Sequence, residues 1–227
     1  MACRAVRNIS AVIEDNARKL IDADISPALH SALVAHSDKP LLVESLAWAL
    51  VNLSCDDKTN MQLGSHKCCA GAVNALVDFY SHSIKDASND DWTSSGLPLA
   101  LLWALRNMSC SIMYNLPILH NTPLADVLPA LVDALASHGM HQCVGIGLHL
   151  MANLAVNSDL SQMLSAAGGC VTAGRSLEGL APRLRTRMQE PDFDMYEDDL
   201  ISLADSALAA IRNLSSGEEQ GLSILRE

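Results

Sequence analysis

Five asparagine residues occupy the same setting, each near the end of a stretch of small and apolar residues. The phrases are AVRNIS, ALVNLS, ALRNMS, LMANLA and AIRNLS, which hold Asn8, Asn52, Asn107, Asn153 and Asn213. An Asn amide has two N–H donors and an acceptor oxygen, enough to hydrogen-bond the backbone of another segment. Trp48 and Trp103 precede two of these Asn residues by four positions, on the same helix face. An indole there could contact an apolar or cationic side chain, so each pair has the groups needed to contact a peptide.

The recurrence of these phrases indicates a repeat protein. In three copies another Asn follows eight residues later and opens a new amphipathic stretch, at Asn16, Asn60 and Asn115. Such a block cannot bury its apolar face alone and must stack on its neighbours. A stack of this kind presents a row of side chains to a partner and offers no reaction centre. We therefore expect a protein that binds protein and is not an enzyme.

The phrases resemble the end of the third helix of the armadillo repeat, typically A-L-x-N-L-S followed by N-x-x-x-L. The resemblance covers nearly the whole chain and implies an all-α fold, a right-handed α-solenoid forming a single domain over residues 1–227. The full units would span 15–54, 57–110, 113–155 and 159–215. Their third helices are expected at 41–54, 97–109, 142–155 and 200–215. A lone third helix at 2–10 would precede the units, and a first helix at 218–226 would follow them.

Two units carry inserted loops between their second and third helices. Residues 85–96 (KDASNDDWTSSG) are polar and typical of turns, whereas residues 188–199 (MQEPDFDMYEDD) are strongly acidic. The acidic loop could close over the binding surface or dock on a basic patch, with Phe193 and Tyr196 as anchors. The alternative is a solvated, disordered loop.

Composition agrees with close helix stacking. Apolar residues make up 49% of the chain and aromatic residues only 4%, so Ala and Leu must form the core. Seven Cys residues at irregular spacing are typical of small buried hydrophobes rather than of a disulfide framework. The net charge of −11 disfavours nucleic acid as a partner, and no apolar run is long enough to cross a bilayer. We expect a soluble protein of the cytoplasm or the nucleus, with no membrane partner.

Helical geometry separates core positions from outward positions on each third helix. It places Leu46, Leu50 and Leu53 in the core, as it does Leu101, Leu105, Met108, Leu150, Met151 and Leu154 in later copies. It turns Ala152 outward. Because third helices line the concave face in armadillo proteins, the resemblance implies a peptide-binding groove made of Arg4, Arg7, Asn8, Trp48, Asn52, Trp103, Arg106, Asn107, His149, Asn153, Arg212 and Asn213. The alternative is that the Asn residues cap or bridge helices within the repeat and that each Trp packs on a neighbouring unit.

The groove residues also bear on the partner. The two W-x-x-x-N pairs resemble importin-alpha, in which the Asn holds an extended peptide and the Trp flanks basic side chains. Arg7, Arg106 and Arg212 disfavour a basic ligand, since like charges repel, and resemble beta-catenin-like armadillo domains, which take acidic or extended amphipathic segments. We expect an extended or helical protein segment, an acidic one included. A nuclear transport adaptor and a structural subunit of a larger assembly, joined through the solenoid ends to a second copy or to further repeats, remain alternatives. Each Arg could instead pair with an acid on an adjacent helix.

The remaining residues offer little for chemistry. His66, Cys68 and Cys69 have the residue types of a metal site, but no second ligand pair follows at a convincing spacing. The sequence contains no G-x-x-x-x-G-K-[ST], G-x-S-x-G or H-E-x-x-H motif. We therefore expect no metal, no cofactor and no catalytic residues.

Overall fold

The secondary structure is helical wherever the computed structural model describes the chain. It describes residues 2–12, 14–54, 56–84, 96–110, 119, 121–189 and 199–215, and within these residues there are helices and turns but no strands. The all-α class predicted from the sequence is confirmed. Most of both inserted loops, Asn115 and the helix expected at 218–226 lie outside the described residues.

The chain divides into two compact units, Met1–Leu124 and Ala125–Glu227. The described helices of the first unit, in chain order, are α1 Ala2–Val12, α2 Glu14–Asp22, α3 Ser26–Ala35, α4 Pro40–Leu53, α5 Asp57–Ser65, α6 Cys68–Phe79 and α7 Leu97–Ser109. A π-helical turn, Tyr80–Ile84, extends α6. The described helices that follow in the chain are α8 Leu124–Ser137, α9 His141–Leu154, α10 Ser158–Ala166, α11 Gly169–Arg187 and α12 Asp199–Ser215. The helices expected at 41–54, 97–109, 142–155 and 200–215 are present as α4, α7, α9 and α12.

In the first unit, helices at equal positions of successive repeats pack on one another. Helix α4 contacts α1 on one side and α7 on the other, α3 contacts α6, and α2 contacts α5. The small residues Ala49 and Ala104 and the larger Leu50, Leu53 and Leu105 are all fully buried. The core positions derived from the helical periodicity are thus confirmed in this unit.

Helix starts in the first unit follow local sequence signals. Pro40 and Pro98 lie in the first turns of α4 and α7, where a missing N–H costs nothing. Asp56 caps α5 by accepting a bond from the Thr59 backbone N–H, and the Thr59 hydroxyl accepts one from the Asp56 N–H. Arg18 on α2 donates to Asp56 at 2.8 Å, which ties the start of α5 to α2. These contacts fix where α4 and α7 begin and where the chain resumes a helix after α4.

In the second unit, α12 packs against both α9 and α11. Gly147 on α9 lies so close to Val132 on α8 that a Cβ there would come within 2.6 Å of a valine methyl. The Thr172 hydroxyl of α11 donates to the Asp133 carboxylate of α8 at 3.0 Å. Gly168, with a φ of +91°, ends the turn that leads into α11. Leu150, Met151 and Leu154 are fully buried, as expected.

Helices that cross a bilayer must be both long and apolar. Within the described ranges, none of the helices combines the length and the apolar character that such a crossing needs.

Candidate functional site

The candidate site in the first unit is a row of residues on α1, α4 and α7, called here the ladder face: Arg4, Arg7, Asn8, Trp48, Asn52, Trp103, Arg106 and Asn107. Arg4 and Asn8 are exposed, and the other six are half-buried. The buried stripes of α4 and α7 lie behind them, so the row borders solvent while its helices are anchored in the core.

Asparagine amides join the helices of the ladder face. The Nδ2 of Asn52 donates to the backbone oxygen of Arg7 at 3.0 Å, and the Nδ2 of Asn107 donates to that of Val51 at 3.5 Å. Each acceptor is the residue just before the Asn of the preceding helix. One N–H of each amide therefore links successive repeats, rather than bridging within one repeat.

Arginine side chains lie over both tryptophans of this face. The Arg7 guanidinium of α1 is 5.6 Å from the centre of the Trp48 ring on α4. On α7, the Arg106 guanidinium is 5.4 Å from the Trp103 ring and donates to Asn107 Oδ1 at 3.2 Å. Both distances suit cation–π contact. The indole faces expected to receive a ligand are thus already in contact with cations of the chain itself.

Several ion pairs of the described residues join helices away from the ladder face. Examples are Arg18 with Asp56 and Lys58 with Asp22, which join α2 to α5. In the part of the chain that the structure describes, no carboxylate lies within ion-pair distance of Arg4, Arg7 or Arg212. Pairing with an acid on an adjacent helix therefore does not account for these three cations.

The second unit repeats the same relation on α9 and α12. The Nδ2 of Asn213 donates to the Ala152 backbone oxygen at 2.8 Å, and Arg212 Nε donates to Asn213 Oδ1 at 3.3 Å. His149 and Asn153 are half-buried on α9. Ala152, expected to face outward, is buried at 4% exposure. That expectation is wrong because α12 packs onto α9 at the Ala152 carbonyl.

Two kinds of polar residue that contact or follow the candidate Asn residues were not among the candidates. Asn60 on α5, 4% exposed, donates from Nδ2 to the Asn107 backbone oxygen at 3.4 Å. Asp56 and Asn157 follow Asn52 and Asn153 by four residues, and each caps the next helix through its side chain. The eight-residue recurrence of Asn and the N-cap residue types were the signals that could have identified them.

The cysteines near His66 are buried in the core. Burial raises the pKa of Cys68 and of Cys69 to about 12, so both thiols stay protonated at neutral pH. His66 Nε2 lies 3.5 Å from the Asp24 carboxylate. Among the described residues, no three His, Cys, Asp or Glu side chains are placed to hold an ion together. Burial likewise raises the pKa of Cys143 to about 11, so these three thiols behave as small core residues.

Comparison with known proteins gives a likeness of fold. No family model matches the sequence, and no curated protein is similar to it. The structure is similar to the crystal structure of an engineered protein from the Northeast Structural Genomics Consortium, with a TM-score of 0.67 and 19% sequence identity. The likeness covers 95% of this chain and 72% of the other. At that identity the two proteins share a fold, and the comparison assigns no function.

Proposed function

We propose that this chain is a non-enzymatic protein-interaction module, an armadillo-type right-handed solenoid that binds an extended partner segment along its third helices. The observation that carries the proposal is the recurrence of one hydrogen bond, from an Asn amide to the carbonyl before the preceding Asn, at Asn52, Asn107 and Asn213. A repeated bond sets a repeated spacing. Within the first unit, side chains at equal positions of α1, α4 and α7 therefore form a row, which suits a ligand with its own regular repeat.

The chemistry of the ladder face favours binding over catalysis. Its Arg, Asn and Trp side chains offer hydrogen-bond donors, amide acceptors and ring faces, which are suited to hold a ligand rather than to transfer protons. An extended peptide offers backbone N–H and C=O groups along its length, and the second N–H of an Asn amide could bond one of them. We propose protein as the partner, rather than nucleic acid or a membrane, and the cytoplasm or the nucleus as the compartment.

The importin-alpha-like alternative is less well supported by the geometry. In that mode the indole faces would flank the ligand's Lys or Arg side chains. Here Arg7 lies over Trp48 and Arg106 lies over Trp103, so a basic ligand would meet a cation at both rings. Like charges at such close range are unfavourable. A structural subunit of a larger assembly would not need the side chains of the ladder face to bind a segment. A crosslinking experiment distinguishes that role from the proposed one.

Photo-crosslinking with selected peptides tests the proposal. A displayed library of short peptides is selected on the wild-type chain, and the enriched peptides are added to two variants that carry a benzoylphenylalanine. One variant has it at Val51, half-buried on the third helix α4, and the control has it at Ala181, exposed on α11. We expect adducts at residue 51 and none at residue 181. Adducts at 181 alone, or no enrichment over an unrelated helical protein, would overturn the proposal, and the second result would favour the subunit role.

A further inference from the structure

Two opposite faces recur on the helices that hold the Asn phrases, α1, α4, α7, α9 and α12, called here the Asn helices. In the described part of the chain, α1 exposes one of these faces and α12 exposes the other. We propose that a second copy of this protein docks head to tail through them. In this contact α12 of one copy packs on α1 of the next, and Asn8 Nδ2 donates to the Arg212 carbonyl. The docking does not require the ladder face to bind a segment.

The first face, called the donor face, packs on the preceding Asn helix. It consists of the Asn, whose amide donates across the contact, of the residue three positions before it and of the residue after it. Helical geometry places these positions within about 100° of one another around the helix. In α4, which packs on α1, the two apolar positions are Ala49 and Leu53, and both are fully buried. The equivalent positions of α7 and α12 are also buried: Ala104, Met108, Ala210 and Leu214.

The donor face of α1 is exposed. Ala5 and Ile9 occupy the positions that are buried in the later helices, yet both are exposed, Ile9 to 49%. Asn8 forms no hydrogen bond with another described residue, whereas Asn52 and Asn107 each donate to a carbonyl of the preceding Asn helix. Helix α1 therefore presents the same kinds of group with which α4 packs on α1, and nothing within the described residues covers them.

The second face, called the acceptor face, lies on the opposite side of the helix. It consists of the residue five positions before the Asn and of the carbonyl just before the Asn. In α4 and α9 the residue at this position is Ala47 or Leu148, and both are fully buried. In α12 it is Leu208, which is 53% exposed. Helix α12 therefore presents the apolar position on which a further Asn helix would pack.

The Arg212 carbonyl on α12 suits the Asn8 amide. It accepts a bond from the Ser215 hydroxyl at 3.2 Å. The Arg7 carbonyl on α1 accepts the same kind of bond from Ser10 at 3.0 Å, and it accepts the Asn52 amide as well. A serine at this position thus does not prevent the carbonyl from accepting an amide of another Asn helix, and we expect the same of the Arg212 carbonyl.

The register of the docking has an electrostatic consequence. Where α4 packs on α1, Arg7 lies over Trp48, four residues before the Asn of α4. In the same register Arg212 of one copy would lie over Arg4 of the next, four residues before the Asn of α1. Two cations at such range repel each other, so we expect a weak association that salt strengthens. Arg4→Trp would instead supply the ring for a cation–π contact with Arg212.

Sedimentation velocity of the 227-residue chain tests the docking. Between about 1 μM and about 200 μM the average sedimentation coefficient should rise, and it should rise more steeply at high salt. Growth should continue past the dimer or end in a closed ring, because a head-to-tail contact leaves one face of each kind free. A chain that stays monomeric at high salt over this range would overturn the proposal.

Charged substitutions identify the two faces. Ile9→Glu on the donor face and Leu208→Glu on the acceptor face should each keep the chain monomeric, because each places a charge in the contact. Val34→Glu is the matched control, since Val34 is 59% exposed on α3, outside both faces, and this variant should associate like the wild type. Association of either face variant by itself would contradict the head-to-tail arrangement, and a twofold dimer would leave one of the two able to associate.

A mixture of the two face variants and one gain of affinity complete the test. Mixed in equal amounts, Ile9→Glu and Leu208→Glu should form a 1:1 dimer and nothing larger, because one intact acceptor face meets one intact donor face. Arg4→Trp should associate about tenfold more tightly than the wild type and lose the strengthening by salt, and R4W/L208E should be monomeric. A mixture that stays monomeric, or R4W/L208E that still associates, would overturn the proposal.

Discussion

Removing the side-chain amide of Asn52 should measure how much the hydrogen bond between successive repeats contributes to the free energy of unfolding. Asn52→Ala removes the 3.0 Å hydrogen bond from Asn52 Nδ2 to the Arg7 carbonyl, which joins α4 to α1. The matched control is Asn8→Ala. Asn8 occupies the equivalent position on α1 and is exposed, and among the described residues its side chain makes no hydrogen bond.

The expected magnitude follows from the bond and from its surroundings. A protein hydrogen bond contributes about 0.5–1.5 kcal/mol net to the free energy of unfolding. The Arg7 carbonyl also accepts from the Ser10 hydroxyl at 3.0 Å, so it does not become an unsatisfied acceptor and no larger penalty applies. Ala has the higher helix propensity, by roughly 0.5 kcal/mol, and both variants gain from it. Asn52→Ala should therefore be less stable than Asn8→Ala by about 1 kcal/mol.

The assay is urea unfolding followed by far-ultraviolet circular dichroism. The dependence of the unfolding free energy on urea concentration, the m-value, is compared between variants to check that the same transition is measured. A difference between the two variants below about 0.3 kcal/mol would show that the amide link does not hold α4 to α1. A less stable Asn8→Ala would show that the equivalence of the repeat positions is wrong. Either result would contradict the regular arrangement of side chains on which the proposed binding mode depends.

Four further predictions concern the core, the thiols, the pH dependence of stability and one helix. Leu50→Ala should cost about 2–5 kcal/mol of stability because Leu50 is fully buried, whereas Leu41→Ala on the same helix, at 77% exposure, should cost under about 0.5 kcal/mol. At about pH 8, iodoacetamide should label exposed Cys110 in the native protein and leave Cys69 unlabelled, because burial raises the pKa of Cys69 to about 12. Stability should also fall as pH rises from the ordinary thiol pKa of 9.0 toward 12, since the unfolded chain ionises first. Gly174→Ala should stabilise α11 by about 0.5–1 kcal/mol, because a Cβ there meets open space.

Each of these predictions has a measurement that can contradict it. Equal urea midpoints for Leu50→Ala and Leu41→Ala would mean that the buried stripe of α4 is misassigned. Mass spectrometry that finds Cys69 labelled as fast as Cys110 would mean that the α6 core opens readily. A lower melting temperature for Gly174→Ala would mean that α11 has a close neighbour at this position.

The repeat phrases predicted the helices and their buried stripes. Helices α4, α7, α9 and α12 lie within about a residue of the expected bounds, because helix formation and amphipathic periodicity are local properties of the sequence. The burial of Leu50, Leu53 and Leu105 follows from the same period. The same periodicity assigned Ala152 to the outer face, yet Ala152 is buried. The reason is that periodicity gives the direction of a side chain around its own helix and does not predict where another helix packs.

The contacts of the candidate site could not be predicted from the local sequence pattern. The residue types alone marked Asn52, Asn107 and Asn213 as amides able to bond a peptide group, but each bond runs to a carbonyl 45 to 61 residues earlier in the chain. The same holds for Arg7, which meets Trp48 only because α1 packs on α4. The sequence therefore determined the helices, their apolar stripes and the recurrence of Asn, Trp and Arg, which are properties of one segment at a time. Only the tertiary structure decided which atoms those side chains meet, because the packing of helices distant in sequence brings donor, acceptor, cation and ring to one surface.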